Sequence, residues 1–141
     1  MGKSINEIQD ELIEEFSLFD DWADKYEYLI DLGKKLAPLS EEFKTDENVI
    51  KGCQSRVWLH AYKKDDLLIF EADSEAVIVK GLISMLIRVL SHQKAEDILK
   101  ADLYFIDQIG MSQHLAQTRS NGLLSMVKQI KNYALAFSAK V

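Results

Sequence analysis

Gln54-Ser55-Arg56-Val57-Trp58-Leu59-His60-Ala61-Tyr62 alternates in character residue by residue, and that alternation decides the fold class. Ser55, Val57, Leu59 and Ala61 lie on one side of an extended strand, and Arg56, Trp58, His60 and Tyr62 lie on the other. Lys63-Lys64-Asp65-Asp66 reads as a turn and Leu67 to Ala72 as a second strand, which together give an antiparallel hairpin. Asp73 or Ser74 is placed to cap the helix that follows. That helix carries Val77, Ile78, Leu82, Ile83, Met85, Leu86, Val89 and Leu90 and is apolar nearly all round. Its one polar stripe, Lys80, Ser84, Arg88 and Ser91, predicts a largely buried helix with a single strip reaching water.

Outward from the hairpin, the rest is mostly helical. Ser4-Ile5-Asn6-Glu7 has the form of a capping box, and Ile5, Ile8, Leu12 and Phe16 then fall on one face. A second helix begins near Asp21, carries Trp22, Tyr26, Leu29, Ile30 and Leu36, and ends ahead of Pro38. Residues 39–52 are polar and acidic and read as a long loop with room for a helical turn. Lys94 to Lys100 is a short helix, whereas Leu103-Tyr104-Phe105-Ile106 suits either a third short strand or a helix start. Ser112 to Leu115 reads as a turn. The last helix buries Leu123, Met126, Val127, Ile130, Tyr133, Ala134 and Phe137, with Ser120 or Asn121 as its cap. The expected architecture is α+β: a small antiparallel sheet of two to three strands with helices packed on one face.

At 141 residues the chain is long enough to bury a core, and one domain over 1–141 is expected. A net charge of −6 argues against the phosphate backbone of nucleic acid as partner and leaves docking on a basic protein open. The stretch Val77 to Leu90 is too short and too interrupted to span a membrane. Met1-Gly2-Lys3-Ser4 has no apolar run behind it, so no secretory signal is expected. A single cysteine without an export signal fits a reducing cytoplasm.

That cysteine, Cys53, sits in Lys51-Gly52-Cys53-Gln54-Ser55-Arg56 at the junction of loop and strand. Alone, it forms no internal disulfide and no CxxC pair. Three roles remain open: a nucleophile, a carrier of one sulfur atom, or an inert packing residue. Gly52 permits a sharp turn, and Lys51 and Arg56 are near enough in sequence to favour thiolate. Cys53, His60, His92 and His114 show no metal-ligand spacing, and no glycine-rich phosphate loop is present, so neither a metal nor a cofactor is expected. Arg119 and Asn121 precede the last helix, and arginine there is suited to pairing with a carboxylate across an interface.

Several blocks, in order and spacing, resemble the SufE family of sulfur-acceptor proteins. They are Val49-Ile50-Lys51-Gly52-Cys53-Gln54-Ser55-Arg56-Val57-Trp58, Asp73-Ser74, Ala76-Val77-Ile78-Val79-Lys80-Gly81-Leu82, Gln113-His114-Leu115 and Arg119-Ser120-Asn121-Gly122-Leu123. Trp22-Ala23-Asp24-Lys25-Tyr26 and Leu32-Gly33 are similar as well. The resemblance implies an α+β fold like that of IscU-type iron–sulfur scaffolds, and no catalytic turnover of its own. It implies that Cys53 accepts a persulfide sulfur from a cysteine desulfurase, a pyridoxal phosphate enzyme, and delivers it to an iron–sulfur scaffold. Gly52, Gln54 and Ser55 would frame the acceptor; Arg119 and His114 would shape the partner-facing surface, with Asp73 and Glu75 at its edge. IscU-type scaffolds use three cysteines, and the single one here argues against cluster assembly on a monomer. Val57 and Leu59, or else Trp58, would line a pocket for the persulfide, and the 39–53 loop would swing out for delivery. The competing readings are an interaction module with a structural cysteine and a different thiol enzyme.

Overall fold

Ser4 opens the first helix with the reciprocal bonds its sequence predicts. Its hydroxyl accepts from the Glu7 N–H at 3.1 Å, and the Glu7 carboxylate accepts from the Ser4 N–H at 3.0 Å. In this computed structural model, which describes residues 2–53, 55–111 and 117–139 with the side chains of 117–121 excepted, that helix is α1 (Ile5–Ser17). Asp21 caps α2 (Trp22–Lys34) by accepting from the Asp24 N–H at 2.9 Å. The long segment before the cysteine holds two single 3₁₀ turns, Glu41–Phe43 and Asp46–Asn48. It is anchored by the buried Leu39 and Ile50, so it is better packed than its polar composition suggests.

The hairpin forms as predicted, in register Val57↔Ser74 through Lys64↔Leu67, from β1 (Val57–Lys64) and β2 (Leu67–Ser74). Asp65 and Asp66 both take positive φ, 50° and 70°, so two residues suffice for the turn. The strands therefore run further than the sequence reading placed them: Lys63 and Lys64 belong to β1, and Asp73 and Ser74 to β2. Val57 and Leu59 with Leu68, Phe70 and Ala72 face the core, while Trp58, His60 and Tyr62 line the other face.

Helix α3 (Val77–Leu90) packs on the inner face of β2 and buries eight of its residues. Its N-cap is Ala76, without a side-chain bond, so neither Asp73 nor Ser74 caps it in the simple sense. The Ser74 hydroxyl instead accepts from the Ala76 N–H at 3.3 Å from its place at the strand end. The polar stripe does not simply meet water either. Lys80 Nζ lies 3.2 Å from Asp73, Ser84 donates to the Leu32 carbonyl at 3.0 Å, and the Ser91 hydroxyl accepts from the Phe70 N–H of β2 at 2.9 Å. Arg88 forks onto Glu15 of α1, with one of its two bonds at 2.9 Å, and Tyr28 donates to the same carboxylate. Burial and that hydrogen bond push the Tyr28 phenol up to about 12.

Two glycines let α2 and α3 approach. A Cβ on Gly81 would stand 2.4 Å from the Leu29 carbonyl oxygen, and one on Gly33 would stand 2.8 Å from the Gly81 nitrogen. Short helices α4 (Ala95–Lys100) and α5 (Phe105–Ile109) follow, so the ambiguous 103–106 stretch leads into a helix and not a third strand. Gln9, fully buried, explains the choice: its amide accepts from the Phe105 N–H at 3.1 Å and donates to the Asp102 carbonyl at 3.0 Å. The last helix, α6 (Gln117–Ser138), starts earlier than predicted, so Ser120 and Asn121 are inside it and cannot cap it. Its apolar face buries Leu123, Met126, Ile130 and Ala134, as the spacing predicts. The predicted turn at 112–115 lies outside the described residues.

Two expected outcomes follow from this packing. Gly81→Ala must push α2 from α3 and should lower stability by about 2 kcal/mol, read from urea unfolding. A loss under about 0.5 kcal/mol would mean that the helices do not touch there. The second concerns Glu15, whose carboxyl is held below the ordinary range chiefly by its bonds to Arg88, against the cost of burial. A depressed folded pKa gives stability that is present above the unfolded value of about 4.3 and is lost as pH falls through the folded value. The advantage of wild type over Glu15→Gln, on the order of 1 kcal/mol for a partly exposed pair, should thus shrink between about pH 7 and about pH 3. An advantage constant over that range would remove the carboxylate from the account.

Candidate functional site

The cysteine loop begins and ends at a clip. Val49 bridges Trp58 antiparallel, and the Ile50 N–H donates to the Val57 carbonyl at 2.8 Å. Lys51, Gly52, Cys53, Ser55 and Arg56 therefore lie in a short tip at the mouth of the hairpin. Gly52 makes the turn at φ 92°, and a Cβ there would meet the Ser125 hydroxyl oxygen at 2.6 Å. Glycine takes that φ without strain and leaves the Ser125 hydroxyl its place.

The far side of the tip is tied down as well. The Arg56 carbonyl accepts from the Ser74 hydroxyl at 2.9 Å and from the Glu75 N–H at 3.3 Å. Its guanidinium lies 3.7 Å from Glu75 and 6.0 Å from the Trp58 ring centre. Lys44 sits over the same ring at 5.5 Å and pairs with Asp73 at 3.2 Å. Burial pushes the Asp73 carboxyl up, but the Ser74 N–H, Lys44 and Lys80 together outweigh it and hold the group below the usual range. Asp73 thus fastens the 39–50 segment to the hairpin, next to the loop.

Cys53 is half-buried and packs against the rim of the core. Its Sγ lies 3.6 Å from the carbonyl oxygen of Gly122 in α6, and a Cβ on Gly122 would lie 3.6 Å from that sulfur. A thiol is a weak donor, so this contact suits the neutral S–H form. Burial also pushes the Cys53 thiol up. The sequence reading, that Lys51 and Arg56 favour thiolate, is corrected here: Arg56 is turned to Glu75 and Trp58, Lys51 is exposed, and desolvation governs the sulfur.

Of the residues singled out from sequence, Gly52, Cys53 and Ser55 share this loop, with Ser55 half-buried. Gln54 and His114 lie outside the described residues, and Arg119 is placed only by its backbone, in the first turn of α6. Asp73 and Glu75 stand at the loop stem. Val57 and Leu59 are wholly buried in the core beneath the strand end, and Trp58 lies on the other face under Lys44 and Arg56. Sequence reasoning missed Ser74, Ser125 and Gly122 as neighbours of the loop. Gly122 carried a signal in the Arg119-Ser120-Asn121-Gly122-Leu123 block, whereas Ser125 carried none beyond standing three residues further along the same helix. His60 stacks on Phe43 at 3.7 Å, and the described residues contain no group of three or more histidine, cysteine or carboxylate side chains arranged to hold a metal ion. No helix among them is long and apolar enough to cross a membrane.

The same geometry has relatives. A solution structure of a hypothetical protein from Thermus thermophilus superimposes with a TM-score of 0.75 over 92% of this chain and 94% of its own, at 16% identity, which shows a shared fold. Uncharacterized SufE-like proteins of Rhizobium meliloti and Rhizobium etli are 40% and 42% identical over 130 residues, covering 89% of this chain and 93% and 88% of theirs. The SufE-like protein 1, chloroplastic/mitochondrial, of Arabidopsis thaliana is 38% identical over 131 residues, 92% of this chain but 35% of that longer protein. The SufE family profile, described as an Fe-S metabolism associated domain, matches residues 10–134, and with these relatives it places the chain in the SufE family, a family of iron–sulfur metabolism.

Proposed function

We propose that the protein is a sulfur carrier: Cys53 takes the outer sulfur of a persulfide on a cysteine desulfurase, stimulates that enzyme by clearing it, and passes the sulfur to an iron–sulfur scaffold. The observation that carries this reading is the setting of the chain's one thiol. It lies at the tip of a clipped six-residue loop, on the end of the molecule where hairpin, α3 and α6 meet, and half-covered. A reducing cytoplasm would keep that thiol free.

The transfer is a thiol–persulfide exchange. The Cys53 thiol gives its proton to solvent, and the thiolate attacks the outer sulfur of the donor persulfide. The bond between the two donor sulfurs breaks, and the donor cysteine leaves as thiolate. No oxidant is consumed. The resting site is poorly poised for the first step, because burial and the Gly122 contact both favour S–H. Each unit of pKa that docking removes is worth about 1.4 kcal/mol of thiolate. Lifting the 51–56 tip off α6 removes the burial and frees the sulfur together. Gly52, Gln54 and Ser55 frame that movement, and Arg119 and His114 receive the partner. The same burial shields the persulfide from reductant and peroxide between transfers. This is a narrower movement than a swing of the whole 39–53 segment, whose Leu39, Ile50 and Lys44 hold it to the body.

Half-burial equally suits a cysteine kept only for packing, and two measurements separate the readings. Intact mass after incubation with a cysteine desulfurase and cysteine, without reductant, should rise by one sulfur atom in wild type and not in Cys53→Ser, with reductant removing the gain. No gain on wild type, with Cys53→Ser merely less stable, would leave the packing reading. Alkylation of Cys53 by iodoacetamide across pH should show a midpoint above the free-cysteine value of about 8.5, and faster labelling at neutral pH when the desulfurase is bound. A midpoint at or below the free value would mean that the thiol is already activated at rest.

A further inference from the structure

Beside the cysteine loop, residues 47–51 and α6 enclose an open groove of about 440 Å³. Its wall along α6 is Ser125, Lys128, Gln129 and Asn132; its wall from the loop side includes Glu47 and Lys51. The chain carries a net charge of −6, yet this groove has two lysines to one carboxylate. Neither Lys51 nor Lys128 takes part in an ion pair among the described residues. Both are exposed, whereas Lys44, Lys80 and Arg88 each have carboxylate partners. The groove borders the cysteine loop. Lys51 is two residues before Cys53, and Ser125 is the side chain that Gly52 lies against.

We propose that this groove docks an extended, carboxylate-bearing segment of the sulfur donor, the segment that flanks the donor cysteine. The inference rests on the carrier reading above and adds to it where the donor chain lies and what charge it bears. The polar side chains of α6 from Ser125 to Asn132 extend along about 10 Å at 1.5 Å per residue. That matches about three residues of extended chain at about 3.4 Å each. A single small anion would use only one end of such a line. A segment lying along it presents hydrogen-bonding groups to Ser125, Gln129 and Asn132 and carboxylates to Lys51 and Lys128, and passes beside Gly52 with its sulfur facing Cys53. Glu47 sets the direction, since it repels acidic residues from its own stretch of the wall.

The test titrates a pyridoxal phosphate-loaded cysteine desulfurase with wild type, Lys128→Glu and Lys128→Arg and reads alanine release. Lys128 lies on the exposed side of α6, so thermal melts check that each variant is folded. At about 0.05 M salt, Lys128→Glu should raise the half-saturating concentration by about three-fold or more; Lys128→Arg should stay near wild type; and the difference should shrink at about 0.5 M. Equal half-saturation for Lys128→Glu and wild type at low salt overturns the inference, as does a loss confined to the plateau. Wild-type self-association in sedimentation that Lys128→Glu abolishes, with the titration unmoved, would assign the groove to a second copy and also overturn it. In either case wild type still gains sulfur by mass, which separates this failure from that of the carrier reading.

Discussion

Where a Gly81 Cβ would stand, the Leu29 carbonyl oxygen is already 2.4 Å away, and this backbone contact between α2 and α3 fixes the frame in which the rest is built. It puts α3 at the centre, covered by α1, α2, α6 and the hairpin. A helix so enclosed cannot leave polar groups loose, and each member of its polar stripe is engaged by a neighbour: Lys80 by β2, Ser84 by α2, Arg88 by α1, Ser91 by the β2 backbone. The register of the hairpin over α3 is thereby set. Since Asp73 and Ser74 end β2, so are the positions of Lys44 and of the Arg56 carbonyl, the two handles on the cysteine loop.

Under the proposed carrier role, the loop embodies a conflict between keeping a sulfur and using it. A thiol against the Gly122 carbonyl, with burial raising its pKa, is protected and slow. An exposed thiolate would react with a donor and equally with any electrophile. The geometry resolves this by making the protection local. The described contact over the Cys53 sulfur comes from Gly122 of α6, outside the loop, so docking at that end can remove it without unfolding the body.

The hairpin and helices are legible in the sequence because their signals are local. Alternation at 55–62, the capping box at Ser4 and the all-round apolar run at 77–90 each need only neighbouring residues. The sequence misleads where distant groups decide. The stripe of α3 reads as a solvent strip because nothing in the local sequence reveals Glu15 or the Leu32 carbonyl. The stretch 103–106 is ambiguous until Gln9, nearly a hundred residues earlier, supplies its backbone partners. The motif around Cys53 marks the loop at once, together with Gly52. Its charge state is not legible there, because lysine and arginine nearby in sequence say nothing of a helix sixty-nine residues away. Ser125 is invisible for the same reason: its part comes from the space that Gly52 leaves, which is a property of packing.

In the proposed carrier role, the clip at the base of the loop limits how far the sulfur can travel. Ile50 and Val57 are joined by a 2.8 Å hydrogen bond, and Cys53 is three residues from Ile50. Even fully extended, three residues reach only about 10 Å. A thiol on such a tether cannot search as a long swinging arm does; it can leave α6 and project a short way beyond the surface. On the proposed reading, donor and recipient must therefore be brought to this end of the molecule and held within that distance. The burden of specificity then falls on the surfaces around the loop rather than on the loop itself. Glycines, paired charges and the two exposed lysines of the groove gather at this one end, and that concentration is what so short a reach requires.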